Sequence, residues 1–258
     1  MRMILSDLDG TLLDSAYRFD AARPALECCR KKGALLVPVS SKTLPEMAYW
    51  SRELVLPPAF SYENGFGIAF REAQPAWLKP RVLDRYGYRF QGTAREAPGW
   101  RVWEQEIGSA TERIRQLLER FPKGTVRFAT ELSAKEWVRI TGLSPELAEK
   151  ARQRRGIPPL WISPEVRSQV VQAFREAGFR VGRGRFFVTV APYDKGTVAE
   201  ALVRALRARH PHARVLALGD QPADEAMAPH VDRFVKVQGP EEWNRVVWAW
   251  LACDGGEP

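Results

Sequence analysis

A chain of 258 residues is too long for a disulfide-stapled miniprotein and fits one large domain or two of ordinary size. Its 45% hydrophobic and 27% charged content excludes a disordered chain, a collagen-like repeat and a bundle of membrane spans. The net charge of +8 rests on thirty arginines against nine lysines, planar donors suited to phosphate or carboxylate, which points to an anionic partner.

Met3-Ile4-Leu5 is an apolar run that stops at Ser6-Asp7-Leu8-Asp9-Gly10-Thr11 and reads as a buried strand ending in a polar turn. Acid at Asp7 also leaves no room for the apolar stretch of a signal peptide. Asp20 stands at an N-cap position, Pro24 in a first turn, and Gly33 at a C-terminal stop, so a helix is expected between them. Cys28 and Cys29 on that helix are adjacent, with only Cys253 left to pair with either. They read as free thiols of a reducing compartment, and a cytoplasmic location with no membrane partner is expected. Ala34 to Val39 is a second strand ending in Ser40-Ser41-Lys42-Thr43, followed by a helix through Met47, Trp50 and Leu54. Pro58 to Ile68 is a third strand, broken at Glu63-Asn64-Gly65.

From Lys79 to Phe187 the texture changes, with four tryptophans, many arginines and loop signals such as Pro98-Gly99 and Pro158-Pro159. Strands are expected at Val126 to Ala129 and Trp137 to Ile140, and helices at Thr111 to Phe121, Pro145 to Arg155 and Pro164 to Ala177. Beyond it come a helix over Gly196 to Arg209, a strand at Arg214 to Leu218 ending in Gly219-Asp220, and a short helix at Ala223 to Met227. A strand at Phe234 to Val237 and a helix at Glu241 to Ala252 follow. Strand and helix alternate in both terminal segments, so the fold class is α/β, a doubly wound, mainly parallel Rossmann-like core sheet. The core is expected over residues 1–78 and 189–258, with an inserted α+β unit over 79–188.

Asp7 and Asp9 stand together at a strand tip, where one can attack phosphorus while the other serves as acid and base. The plainer reading is an acidic turn, but four fixed positions directly after an amino-terminal apolar strand are much rarer. Gly219-Asp220-Gln221-Pro222-Ala223-Asp224 is a second acidic tip. Alone it is equally a helix N-cap; paired with the first, it suits a hard divalent cation such as Mg2+, which takes oxygen ligands from Asp7, Asp9, Asp220 and Asp224. Ser40 or Ser41 offers a hydroxyl to a phosphoryl oxygen, or merely caps a helix. Lys195 opens a helix, where its charge opposes the dipole and an anionic partner explains it better than solvent does. In an open parallel sheet these four tips converge at the carboxyl ends of the strands.

The order Asp-x-Asp-Gly-Thr, strand-ending serine, lysine, Gly-Asp-x-x-x-Asp resembles the haloacid dehalogenase superfamily of phosphotransferases. The gap between Ser40 and Lys195 is where that superfamily inserts its type 2 cap. Val39-Ser40-Ser41-Lys42-Thr43, Glu63-Asn64-Gly65 and Gly182-Arg183-Gly184-Arg185-Phe186 are similar to the mannosyl-3-phosphoglycerate phosphatase family. General sugar-phosphate phosphatases of the same cap type more often carry Thr-Gly-Arg in place of Ser40-Ser41-Lys42. Two positions depart from the pattern: Ala223 stands for the usual asparagine, and Arg183 and Val188 interrupt the cap motif.

The resemblance implies Asp7 as nucleophile, Asp9 as acid and base, and Mg2+ held by Asp7, the Asp9 carbonyl and Asp220, with Asp224 directly or through water. Ser40, Ser41 and Lys195 would bind phosphate, and Lys42, Asn64, Arg183 and Arg185 the rest of the substrate. The expected partner is a small phosphorylated sugar-glycerate, the mannosyl compound with the glucosyl analogue beside it. A general sugar-phosphate phosphatase and a sugar phosphomutase are the competing enzymes. The competing binder is a basic nucleic-acid module whose acidic tips are only caps, which the scattered arginines disfavour. No signal of oligomeric state is present.

Overall fold

The computed structural model describes residues 1–54, 58–71, 76–184 and 186–252; Arg185 and Cys253 lie outside the described residues. The amino-terminal segment forms β1 (Arg2–Ser6), α1 (Arg23–Lys31), β2 (Leu35–Pro38), α2 (Leu44–Glu53), β3 (Ala59–Tyr62) and β4 (Gly67–Phe70). The middle forms β5 (Tyr88–Thr93), β6 (Arg101–Gln105), α3 (Ala110–Leu118), β7 (Val126–Phe128), α4 (Ala134–Thr141), α5 (Pro145–Arg152), β8 (Leu160–Ile162), α6 (Arg167–Glu176) and β9 (Arg180–Arg183). The chain closes with β10 (Val188–Ala191), α7 (Lys195–Arg207), β11 (Arg214–Gly219), β12 (Arg233–Lys236) and α8 (Gly239–Ala252).

The centre of β1, Met3-Ile4-Leu5, is apolar because helices cover both of its faces. Ile4 packs with Trp243 and Val247 of α8, whereas Met3 and Leu5 pack with Leu202 and Leu206 of α7. The sheet order is β12-β11-β1-β2, and each neighbouring pair is parallel. Ser6 lies opposite both Leu218 and Pro38, so three polar tips leave the sheet at one edge. Cys28 and Cys29 are free thiols. Among the described residues no helix is long and apolar enough to cross a membrane.

The strands of residues 79–188 fall into two sheets. β5 and β6 join the hairpin of β3 and β4 in an antiparallel sheet of order β3-β4-β6-β5, linked to the parallel sheet by a bridge between Val39 and Ser61. Burial is the reason: Tyr88 and Trp103 share one cluster with Ile68, Phe70 and Leu202. A second antiparallel sheet, β7-β8-β10-β9, stands apart and extends to Ala191. Ile114 of α3 and Val170 and Phe174 of α6 pack with its Phe128, Leu160 and Ile162. α4 and α5 build a small cluster of their own from Trp137, Ala148 and Ala151.

Two local expectations are corrected. Trp137 to Ile140 is helical: Ser133 caps α4 in a reciprocal capping box with Glu136, and Gly142 ends it in a left-handed conformation. Asp20 caps no helix, because its carboxylate takes the Arg23 guanidinium at 2.9 Å and α1 begins after a 3-10 turn over Asp20–Ala22.

Candidate active site

The Asp7 N–H donates to the Leu218 carbonyl at 2.9 Å, which pins the β1 tip to β11. Gly10 has φ +78, and a Cβ there would lie 2.7 Å from an Asp220 carboxylate oxygen, so only glycine lets the two loops approach this closely. The Thr11 hydroxyl donates to Asp220 Oδ1 at 3.2 Å. Asp7 is buried, whereas the Asp9 side chain is 43% exposed; both lie beyond the end of β1, where the turn rather than the pleat sets their directions.

Lys195 reaches the same place from α7. Asp194 caps that helix, accepting from the Thr197 N–H at 2.8 Å, and Lys195 in the first turn is buried. Its ammonium donates to Asp7 Oδ1 at 2.7 Å and to Asp224 Oδ1 at 2.5 Å. The other Asp224 oxygen accepts the backbone N–H groups of Asp220 and Gln221 at 3.0 and 2.9 Å. Asp224 therefore holds the β11 loop and Lys195 together.

Burial pushes the Asp7 carboxyl up to about 7, with Lys195 opposing and the carboxylates of Asp224 and Asp9 adding to the rise. Burial alone would lower Lys195, but Asp224 and Asp7 outweigh it and hold the amine well above its usual value. The ammonium thus stays charged across the ordinary pH range.

Oxygen atoms of Asp7, Asp220 and Asp224 lie within 4.8 Å of one another. An all-carboxylate set of this spacing fits a hard divalent cation. Both oxygens of Asp224 and both of Asp220 already accept hydrogen bonds, those of Asp220 from the Thr11 hydroxyl and the Gln221 side-chain amide, so a cation would take lone pairs these donors leave free.

The remaining expected residues separate. Ser40 is buried, its hydroxyl accepting from the Lys42 N–H at 3.2 Å, while Ser41 is exposed and lines the cleft. Lys42, expected among the substrate donors, directs its ammonium to Asp9, with both carboxylate oxygens at 2.9 Å. Burial would lower Lys42, but Asp9 and Glu46 outweigh it and the amine is raised. Asn64 has left-handed φ and ψ of 56 and 36°, and its amide donates to the Thr189 hydroxyl of β10 at 3.0 Å. Arg183 is exposed and lines the cleft.

Asp7, Asp9, Ser41, Asn64, Lys195 and Asp220 line a cleft of about 430 Å³ between the strand tips and the β7–β10 sheet, whereas Ser40 and Lys42 lie behind its wall. Tyr17, Arg154, Arg180 and Thr189 also line it, and sequence reasoning missed all four. Arg154 is pinned by a hydrogen bond to the Ser41 carbonyl at 2.9 Å, and Arg180 by an ion pair with Asp194 at 3.0 Å. The one available signal was arginine clustering near the two-proline loop, which many segments of this chain share.

No family model matches the chain. It is 29% identical over 246 residues to a curated Methanococcoides burtonii protein named glucosyl-3-phosphoglycerate/mannosyl-3-phosphoglycerate phosphatase, covering 93% of this chain and 85% of that one. It is 27% identical over 235 residues to the mannosyl-3-phosphoglycerate phosphatase of Pyrococcus horikoshii, covering 90% and 89%. Among solved structures, a sugar phosphatase of haloacid dehalogenase subclass IIB matches with a TM-score of 0.59 at 14% identity, covering 96% of this chain and 97% of that one. The sucrose-phosphatase of a Synechocystis species matches with a TM-score of 0.61 at 13% identity, covering 97% and 98%. The fold is that of these phosphatases.

Proposed function

We propose that this chain is a magnesium-dependent phosphatase of the haloacid dehalogenase superfamily that hydrolyses mannosyl-3-phosphoglycerate and its glucosyl analogue to the glycosylglycerate and phosphate. The observation that carries the reading is the buried Asp7 carboxylate, held by Lys195 at 2.7 Å beside Asp220 at the floor of an arginine-lined cleft. The curated relatives, which this chain matches over most of its length, bear the substrate names.

In this reading an Asp7 oxygen attacks phosphorus, the ester P–O bond breaks, and Asp9 gives its proton to the departing glycerate oxygen. Water then attacks phosphorus and passes a proton to Asp9. The bond between Asp7 and phosphorus breaks, returning the carboxylate and releasing phosphate. A magnesium ion held by Asp7, the Asp9 carbonyl and Asp220, with Asp224 behind them, would offset the repulsion between carboxylate and phosphate dianion. Lys195 and a hydroxyl of Ser40 or Ser41 take phosphoryl oxygens. Arg154, Arg180, Arg183 and Asn64 face the remainder of the substrate, and the β7–β10 sheet with its helices acts as a cap that excludes water.

Phosphate release from glycosyl-3-phosphoglycerates, hexose phosphates and phosphoglycerates, each with magnesium and with chelator, tests the proposal. A strong preference for the first group that chelation abolishes is expected. A flat profile makes the protein a general sugar-phosphate phosphatase, and an isomerised sugar phosphate without free phosphate makes it a mutase.

A further inference from the structure

Lys42 has no task in that scheme, yet it is tightly constrained. Its N–H donates to Ser40 Oγ at 3.2 Å, and its carbonyl accepts the Glu63 N–H at 2.8 Å, so the backbone is fixed on both sides. The residue is 6% exposed. Its ammonium lies 2.9 Å from both oxygens of Asp9 and 4.9 Å from the centre of the Tyr17 ring. Tyr17 adopts a left-handed φ of 60°, which is costly for a bulky side chain, and its ring stacks on Trp50 at 6.3 Å. Asp9 and Tyr17, both from the segment after β1, thus meet the ammonium, and Trp50 of α2 backs the Tyr17 ring.

The Asp9 side chain is 43% exposed, and the terminal torsion of a carboxylate has a broad profile, so a partner is what sets the direction of its oxygens. A general acid has to lie within hydrogen-bond reach of the atom it protonates.

We propose that Lys42, covered by Tyr17, is a positioning residue that fixes the Asp9 carboxyl in the orientation from which it protonates the leaving oxygen. The inference rests on the phosphatase reading. Lys42 makes and breaks no covalent bond: the ester P–O bond breaks as the bond to Asp7 forms, and the proton moves from Asp9 to the departing oxygen. The contact survives protonation, because the carbonyl oxygen of the protonated acid still accepts from the ammonium.

Lys42→Met keeps the aliphatic stem and removes the charge. The test is kcat/KM, in magnesium, for aryl and alkyl phosphate monoesters that carry neither sugar nor carboxylate, with thermal melting to establish folding. Poor leaving groups need the proton and good ones do not. The variant should therefore lose about 100-fold on alkyl esters and less than about threefold on p-nitrophenyl phosphate. Lys42→Arg should recover part of the alkyl activity. An equal loss along the whole series, or a loss confined to a raised KM for glycosyl-3-phosphoglycerate, would overturn the proposal. If the parent protein releases phosphate from no ester, the phosphatase reading fails instead. The crystal structure of Lys42→Met then still decides the positioning role, with an unchanged Asp9 rotamer counting against it.

Discussion

Asp7 is unusual in being buried beside two other carboxylates with one ammonium to offset them. In the metal-free protein its pKa of about 7 lies above the ordinary carboxylate value of 3.8, so the folded state binds more protons than the unfolded chain between those limits. The contribution of this group to stability is therefore complete at acid pH and lost as pH rises toward and through 7. Asp7→Asn carries no such charge. In chelator it should melt at or above the parent temperature at pH 8, the gap closing toward pH 4, while turnover disappears because the nucleophile is gone. A variant that melts well below the parent at pH 8, or that still releases phosphate, would refute the assignment. Magnesium favours the ionised carboxylate, so it should raise the melting temperature of the parent more than that of Asp7→Asn.

At the scale of elements, the site depends on turns as much as on strands. Gly65 has φ +95 in the hairpin between β3 and β4, and a Cβ there would lie 2.3 Å from the Asp194 carbonyl, directly before Lys195. Gly65→Ala should cost about 2 kcal/mol or more, as overpacking against backbone does, and should raise KM by displacing the start of α7. The outcome is read from urea unfolding and steady-state kinetics; an unaltered midpoint would show that hairpin and helix yield freely. By contrast, Ser133→Ala removes only one half of the α4 capping box and should cost about 1 kcal/mol without touching turnover. The strand tips were legible in the sequence because apolar runs stop abruptly on Asp7, Ser40 and Asp220, and the break at Glu63-Asn64-Gly65 was legible as three turn-forming residues. α4 was misread because the β-branched Val138 and Ile140 flank Arg139 in a window too short to separate the two periods. β5 escaped notice because most of it faces solvent and its short Tyr88-Arg89-Phe90-Gln91 alternation is cut by Gly92. The contact of Lys42 with Asp9 joins two strand tips, and spacing along one chain carries no record of it.

For the molecule as a whole, the segment from Lys150 to Ile157 ties the cap-like unit to the parallel-sheet core. The Thr43 hydroxyl donates to the Lys150 carbonyl at 2.9 Å, and the N–H groups of Arg155 and Gly156 both donate to the Glu63 carboxylate at 2.9 Å. Tyr193 accepts the Ile157 N–H at 3.0 Å. The Arg155 guanidinium then meets Glu104 of β6, a carboxylate only 8% exposed that also accepts from the Tyr62 hydroxyl at 2.7 Å. Arg155→Met would leave Glu104 buried with that hydroxyl alone. The penalty should be about 2–3 kcal/mol, below the usual cost of breaking a fully buried pair because Arg155 is 30% exposed. Glu104→Met should cost less, since its partner can turn toward solvent. The double variant should be more stable than Arg155→Met, because the stranded charge is what destabilises. Urea unfolding of the four proteins gives the coupling directly. Additive losses would mean that the pair is incidental and that Glu63, with its two backbone donors, holds the two units together without it.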